Sequence, residues 1–116
     1  MDIRSFYDEI SSDVNDVEKR LGSLEMTKYF VKKFRGDKTY SLLTEAYDEN
    51  NNEKAFRAAH TLKGLCSNLG FDALYASASA LTEALRSGRP LAGTEPLYET
   101  VKNDYAKLIL AIDNVD

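Results

Sequence analysis

The only histidine of the chain, His60, is its strongest candidate for chemistry. The unperturbed histidine pKa of about 6.5 leaves most of an exposed imidazole neutral near neutral pH, so a ring nitrogen is available as a nucleophile. Lys63 follows three residues later, a spacing that makes helical side chains neighbours. Its ammonium would stabilise an added dianionic phosphoryl group. A solvent-facing histidine alone is usually an ordinary surface residue, but this pairing is suited to accepting phosphate.

Gly64, one helical turn after His60, is the second unusual residue. A glycine inside a helix costs about 1 kcal/mol relative to alanine, and close helix packing is the usual reason for one. The helical phase directs Gly64 away from the apolar side, so packing does not explain it. We interpret it as a clearance that lets the active site of a partner approach the imidazole; the alternative is a tolerated glycine without a role.

These residues lie in a segment, from about Glu53 to Leu69, whose apolar positions predict one amphipathic helix. A band roughly 80° wide on the helical wheel holds the residues expected to be buried: Ala55, Ala59, Leu62, Cys66 and Leu69. His60 points about 140° from the centre of that band. The outer side and its borders hold four further candidates for a site: Phe56, Arg57, Lys63 and Ser67.

The rest of the chain is predicted to be helical as well, because no segment alternates with a period of two over a useful length. Capping residues at Ser11 to Asp13 make two short helices as reasonable as one over residues 3–21. Further helices are expected at about 25–35, between Asp37 and a turn at Asn50 to Asn52, from a cap at Asp72 to Leu85, and from near Thr94 onward. The fold class predicted from these elements is all-α, an antiparallel four-helix bundle with short N-terminal helices packed against it.

Core positions follow from the same periodicity. The helix at 25–35 is expected to bury Met26, Phe30 and Phe34 or their neighbours. The helix after Asp37 carries Tyr40, Leu43 and Tyr47 on one face. The helix that starts at Asp72 is expected to bury Leu74, Ala78, Leu81 and Leu85.

Length and composition bound the class of protein. With 116 residues, 43% of them hydrophobic and 29% charged, the chain is expected to form one domain, 1–116, with a bundle core at about 23–115. A lone cysteine, Cys66, and an N-terminus without an apolar signal core indicate a cytoplasmic protein. The net charge of −4 gives no basis for nucleic-acid binding, and no apolar run approaches the roughly 18 residues of a membrane span. Cys66 is expected to be a core residue without companion metal ligands.

The segment Ala59-His60-Thr61-Leu62-Lys63-Gly64, followed by Asn68-Leu69-Gly70, resembles the signature of the histidine-containing phosphotransfer (HPt) domain family. The resemblance extends along most of the chain and includes the approach to His60 and the Leu81 to Arg86 stretch of the next helix. It implies that His60 is the phosphoacceptor, the catalytic residue of the site. It also implies that Lys63 is the electrostatic partner of His60 and Gly64 its steric partner.

The same resemblance implies a stand-alone phosphorelay module with no kinase activity of its own. Such a module accepts a phosphoryl group from the aspartyl phosphate of one receiver domain and passes it to the aspartate of another. The partners implied are response-regulator receiver domains and a hybrid histidine kinase, and the module is expected to act as a monomer. The Mg²⁺ that assists transfer is expected in the partner receiver, and no cofactor or metal is assigned to this chain.

One position departs from the family pattern. Many members carry on the next helix a glutamine that hydrogen-bonds the phosphorylated imidazole, and Thr82 occupies the corresponding place here. A threonine side chain is too short to assume the same contact, so the group that orients the ring is left open, with Ser67 or water as alternatives. Phe56 and Arg57 are further candidates for supporting the phosphohistidine or docking a partner.

Two other functions compete with phosphotransfer. A helical adaptor that is not phosphorylated would use the same surface, with Phe56 as its anchor, although packing at the edge of the core explains that residue as well. An autonomous kinase would need a nucleotide site, and the chain has no glycine-rich phosphate loop. Arg57, Lys63, Arg86 and Arg89 could complement the acidic pocket of a receiver, or be ordinary solvated charges.

Overall fold

Seven α-helices separated by short connections make up most of the chain. The computed structural model describes all 116 residues and contains no strand. The helices are α1 (Ile3–Glu9), α2 (Val14–Leu21), α3 (Leu24–Phe34), α4 (Thr39–Asp48), α5 (Asn52–Leu69), α6 (Asp72–Leu85) and α7 (Glu95–Asp113). A short 3₁₀ turn, Arg86–Gly88, follows α6. None of these helices combines the length and apolar character that crossing a bilayer requires.

Polar side chains and glycines set several helix ends. The side chains of Asp13, Ser23 and Asn51 each accept a hydrogen bond from a backbone N–H in the first turn of the following helix, at 2.8, 3.0 and 3.1 Å. These N-caps pair donors that the start of a helix leaves free. Gly22 and Gly70 end α2 and α5 in the left-handed conformation, with φ of 103° and 69°. Residues 3–21 form two short helices rather than one long helix.

Helices α4 to α7 form the four-helix bundle. The short connections from α4 to α5 and from α5 to α6 make neighbours antiparallel. Helices α4 and α7 meet through two pairs of tyrosines. Tyr40 stacks on Tyr105 with 3.8 Å between ring centroids, and Tyr47 stacks on Tyr98 at 3.9 Å. Residue numbers rise along α4 as they fall along α7, so this pair is antiparallel too. The predicted all-α, antiparallel bundle is confirmed.

The N-terminal helices pack on the bundle through aromatic rings around Phe71, which lies between α5 and α6. The ring centroids of Phe6, Tyr7 and Phe34 are 6.1, 6.4 and 5.2 Å from that of Phe71. All four side chains are buried. Aromatic pairs in these geometries stabilise beyond the area that they bury. The cluster therefore anchors the C-terminal end of α5 and keeps the helix in a defined orientation.

The structure decides between the positions left open for α3, and it contradicts one expected cap. Phe34 is buried together with Thr27 and Val31, the neighbours of Met26 and Phe30, while Met26 is 42% exposed. The face of α3 that is buried is set by the helices it meets, which the periodicity of α3 alone does not specify. Asp72 makes no capping hydrogen bond, because it is already the first helical residue and the buried Phe71 occupies the N-cap position.

The phenol of Tyr7 supports the first prediction. Its hydroxyl donates a 2.6 Å hydrogen bond to the carbonyl of Leu69, in the last turn of α5, where carbonyls lack partners within the helix. We expect Tyr7→Phe to lower the free energy of unfolding by about 1–2 kcal/mol, because that buried acceptor is left unpaired. Urea unfolding followed by circular dichroism measures the change, with the more exposed Tyr75→Phe as control. Equal stability of the two variants would contradict the assignment.

The same residue makes stability depend on alkaline pH. Burial raises the pKa of Tyr7 above its ordinary value, so the folded state favours the neutral phenol. The folded protein then binds a proton that the unfolded chain releases above about pH 10. This contribution is fully present below that pH and is lost as the pH rises further.

Candidate functional site

His60 lies in the middle of α5 and is exposed to solvent. The opposite face of the helix is buried, as predicted, and consists of Ala55, Ala59, Leu62, Cys66 and Leu69, with Ala58 beside them. The small alanines let the neighbouring helices pack closely against α5. Because the core fixes one side of α5, the imidazole is held on a rigid element and remains accessible from outside.

The space around Gly64 is open. A Cβ placed on this glycine would meet no atom within 4 Å, so no neighbouring helix requires the absence of a side chain. Helical side chains lean toward the N-terminus and cover the turn that precedes their own residue. A side chain at position 64 would therefore extend over His60, one turn earlier. The structure offers no packing reason for this glycine and leaves open access to the ring.

Phe56 lies one turn before His60, and the two rings are in contact. Their planes are 14° apart and their centroids 6.1 Å apart, an offset stack. Phe56 is half-buried and packs against the core. The guanidinium of Arg86, at the end of α6, lies 5.5 Å from the centroid of the Phe56 ring, a cation–π distance. The structure thus places Phe56 beside the histidine and Arg86 against Phe56.

Arg86 is held by Glu83 through two hydrogen bonds. Its Nη2 and Nε donate to the two carboxylate oxygens of Glu83 at 2.6 and 3.2 Å. These hydrogen bonds lower the pKa of Glu83, and the positive charge of Lys63 on α5 lowers it further. Lys63 is half-buried beside α6. Charged groups of α5 and α6 thus lie close to one another at this surface.

The structure does not bring two of the candidates to the imidazole. Thr82 is fully buried, and its hydroxyl donates a 2.7 Å hydrogen bond to the carbonyl of Ala78, so its side chain faces the core and not the imidazole. Ser67 is exposed but lies seven residues from His60, about 10 Å along the helix axis. That separation puts its hydroxyl out of hydrogen-bonding reach of the ring.

Arg57 is exposed on the same side of α5 as His60. Its guanidinium pairs with Glu53 at 3.6 Å, one turn earlier. A pair this exposed is weak, so the cation stays available to a partner. Glu83 also belongs to the site, and its spacing of three residues from Arg86 on a helix is the sequence signal for their ion pair.

Cys66 belongs to the core rather than to the site. Its side chain is fully buried, and burial raises the pKa of the thiol to about 12. A thiol in this state is neither a nucleophile nor a ready metal ligand. No three His, Cys, Asp or Glu side chains gather at any point of the molecule in a way that could hold a metal ion.

The site is thus an exposed histidine on a central helix of an antiparallel helical bundle. The model of the Hpt domain family matches residues 3–111, and the chain belongs to this family. Neither curated proteins nor solved structures yield a match. Members of the family are phosphotransfer modules of phosphorelays rather than kinases, and they interact with receiver domains and kinases. The chain is therefore a phosphotransfer module.

Proposed function

We propose that His60 accepts a phosphoryl group from the aspartyl phosphate of one receiver domain and transfers it to the aspartate of another. The observation that carries the proposal is the exposed imidazole on the rigid helix α5, with open space at Gly64. The initial phosphoryl donor is a receiver domain, such as the one attached to a hybrid histidine kinase.

The transfer needs one nucleophilic nitrogen and one good leaving group. The lone pair of a ring nitrogen of His60 forms the N–P bond while the P–O bond to the receiver aspartate breaks. The aspartate leaves as a carboxylate with the electron pair, and the other ring nitrogen keeps its proton. The reverse sequence of bond changes returns the group to a second aspartate.

Phosphoryl transfer depends mainly on in-line positioning and on neutralisation of the charge on the phosphoryl oxygens. Lys63 supplies a cation one turn from the imidazole, and Arg57 lies on the same side of α5. The partner receiver supplies the aspartate and the Mg²⁺ beside it. This chain then contributes the nucleophile, the nearby cations and an accessible surface, and the receiver contributes the remaining groups.

The test is transfer from a phosphorylated receiver. We expect the protein, mixed with such a receiver, to gain a label that acid removes, and mass spectrometry to place it on the peptide that contains His60. The matched control is a receiver whose acceptor aspartate is replaced by asparagine. Stable binding of receivers without any label would favour the adaptor function. An acid-stable label on another residue would exclude His60 as the acceptor.

A further inference from the structure

We propose that Phe56, Arg86 and Glu83 form a chain of contacts that orients the imidazole of His60 for transfer. The inference rests on the proposed function of His60. Thr82, at the place of the glutamine of other family members, faces the core, so the ring needs another source of orientation. Phe56, Arg86 and Glu83 all lie where α5 meets α6 and the turn that follows it.

The first contact is between the two rings. An exposed imidazole on a helix rotates freely about the bond between Cβ and the ring, and each rotation moves the attacking nitrogen. The near-parallel Phe56 ring, 14° from the imidazole plane, restricts that rotation to orientations that keep the rings stacked. Phe56 can do this because it also packs against the core, which limits its own movement.

The second contact holds Phe56 from the side of α6. The guanidinium of Arg86 lies 5.5 Å from the centroid of the Phe56 ring, and Glu83 binds two of its nitrogens. A guanidinium held by two hydrogen bonds has a fixed plane, whereas a single contact would leave it free to rotate. Glu83 and Arg86 thus connect the ring stack on α5 to the backbone of α6.

The molecule contains a matched trio without a histidine. On α7, Lys102 lies 5.5 Å from the centroid of the Tyr98 ring and pairs with Glu99 at 3.7 Å. The spacing between acid and cation is the same three residues, and these residues belong to a different helix from the site. Lys102→Gln therefore controls for the general effect of removing a cation from an aromatic ring.

The test combines a structural and a kinetic readout. We expect Phe56→Leu to remove the ring-current shift of the His60 imidazole protons in NMR spectra. We also expect it to lower the maximal rate of transfer from a phosphorylated receiver about tenfold, or about 1.4 kcal/mol of barrier, without changing the half-saturating receiver concentration. Arg86→Gln and Glu83→Gln, at exposed positions, should change both readouts in the same direction by a smaller factor. Phe56→Tyr should restore them, and Lys102→Gln should match the unsubstituted protein.

Two results would overturn the chain of contacts. One is a Phe56→Leu protein with the original imidazole shift and transfer rate. The other is a change confined to the half-saturating receiver concentration in the Phe56 and Arg86 variants, which would make these residues docking contacts. Failure of the proposed function is a separate outcome, because the unsubstituted protein would then take up no label while its imidazole shift could still be measured.

Discussion

Replacing His60 by glutamine is expected to abolish phosphate uptake from a phosphorylated receiver and to leave the fold intact. An amide nitrogen has no free lone pair, so it cannot form the N–P bond. The side chain is exposed and its polar atoms make no hydrogen bond within the chain, so the free energy of unfolding should change by less than about 0.5 kcal/mol. Transfer assays with the labelled receiver measure the loss, and urea unfolding measures the stability.

Two controls make this result specific. The His60→Gln protein should still bind the receiver, because the cations and the surface around the site are unchanged. Arg4→Gln, an exposed change on α1, should keep uptake at the original rate. Label on the His60→Gln protein, at any position and at a rate close to the original, would refute the assignment of the phosphoacceptor.

The second large effect is expected at Gly64, where stability and transfer should change in opposite directions. Gly64→Gln should raise the free energy of unfolding by about 0.5 kcal/mol, because glutamine is the better helix former and the space is empty. Transfer should fall by about a hundredfold, since the new side chain extends over His60 and keeps the phosphoryl donor from in-line approach. Single-turnover transfer and urea unfolding on the same preparations give both values.

Control variants separate bulk near the imidazole from bulk in general. Gly64→Ala should gain about 0.5–1 kcal/mol of stability and retain much of the transfer rate, because a methyl group does not reach the ring. Ala106→Gln places the same glutamine on an exposed position of α7 and should leave transfer unchanged. If Gly64→Gln transferred phosphate as fast as the unsubstituted protein, Gly64 would not serve to keep the approach to the imidazole open.

Much of the fold was predictable because helix signals are local. The buried face of α5 follows from the periodicity of Ala55 to Leu69, and the Asp13 cap divides the first segment in two. The side of α3 that is buried was not predictable in the same way. Thr27 is buried and Met26 is exposed because α3 packs against the aromatic cluster and α7. The sequence of α3 alone does not specify which elements it packs against.

The candidate site was predictable to a similar extent. The exposure of His60 and the open space at Gly64 follow from helical phase, and the structure agrees with both. The placement of Thr82 was not predictable from its position in the family pattern. Helix α6 turns that hydroxyl to the core, where the carbonyl of Ala78 accepts its hydrogen bond and removes the cost of burying it.

The helices, the phase of α5 and an accessible imidazole with a lysine and a glycine beside it follow from the order of residues alone, since all of these depend on residues within a few turns of one another. The residues that other helices place around the imidazole are set by how the helices pack. Phe56 and Arg86 are thirty residues apart and meet because α5 and α6 pack antiparallel. Contacts between helices depend on which faces pack and on how far each helix is shifted along the axis of its neighbour. The apolar periodicity of one helix holds no information about that shift.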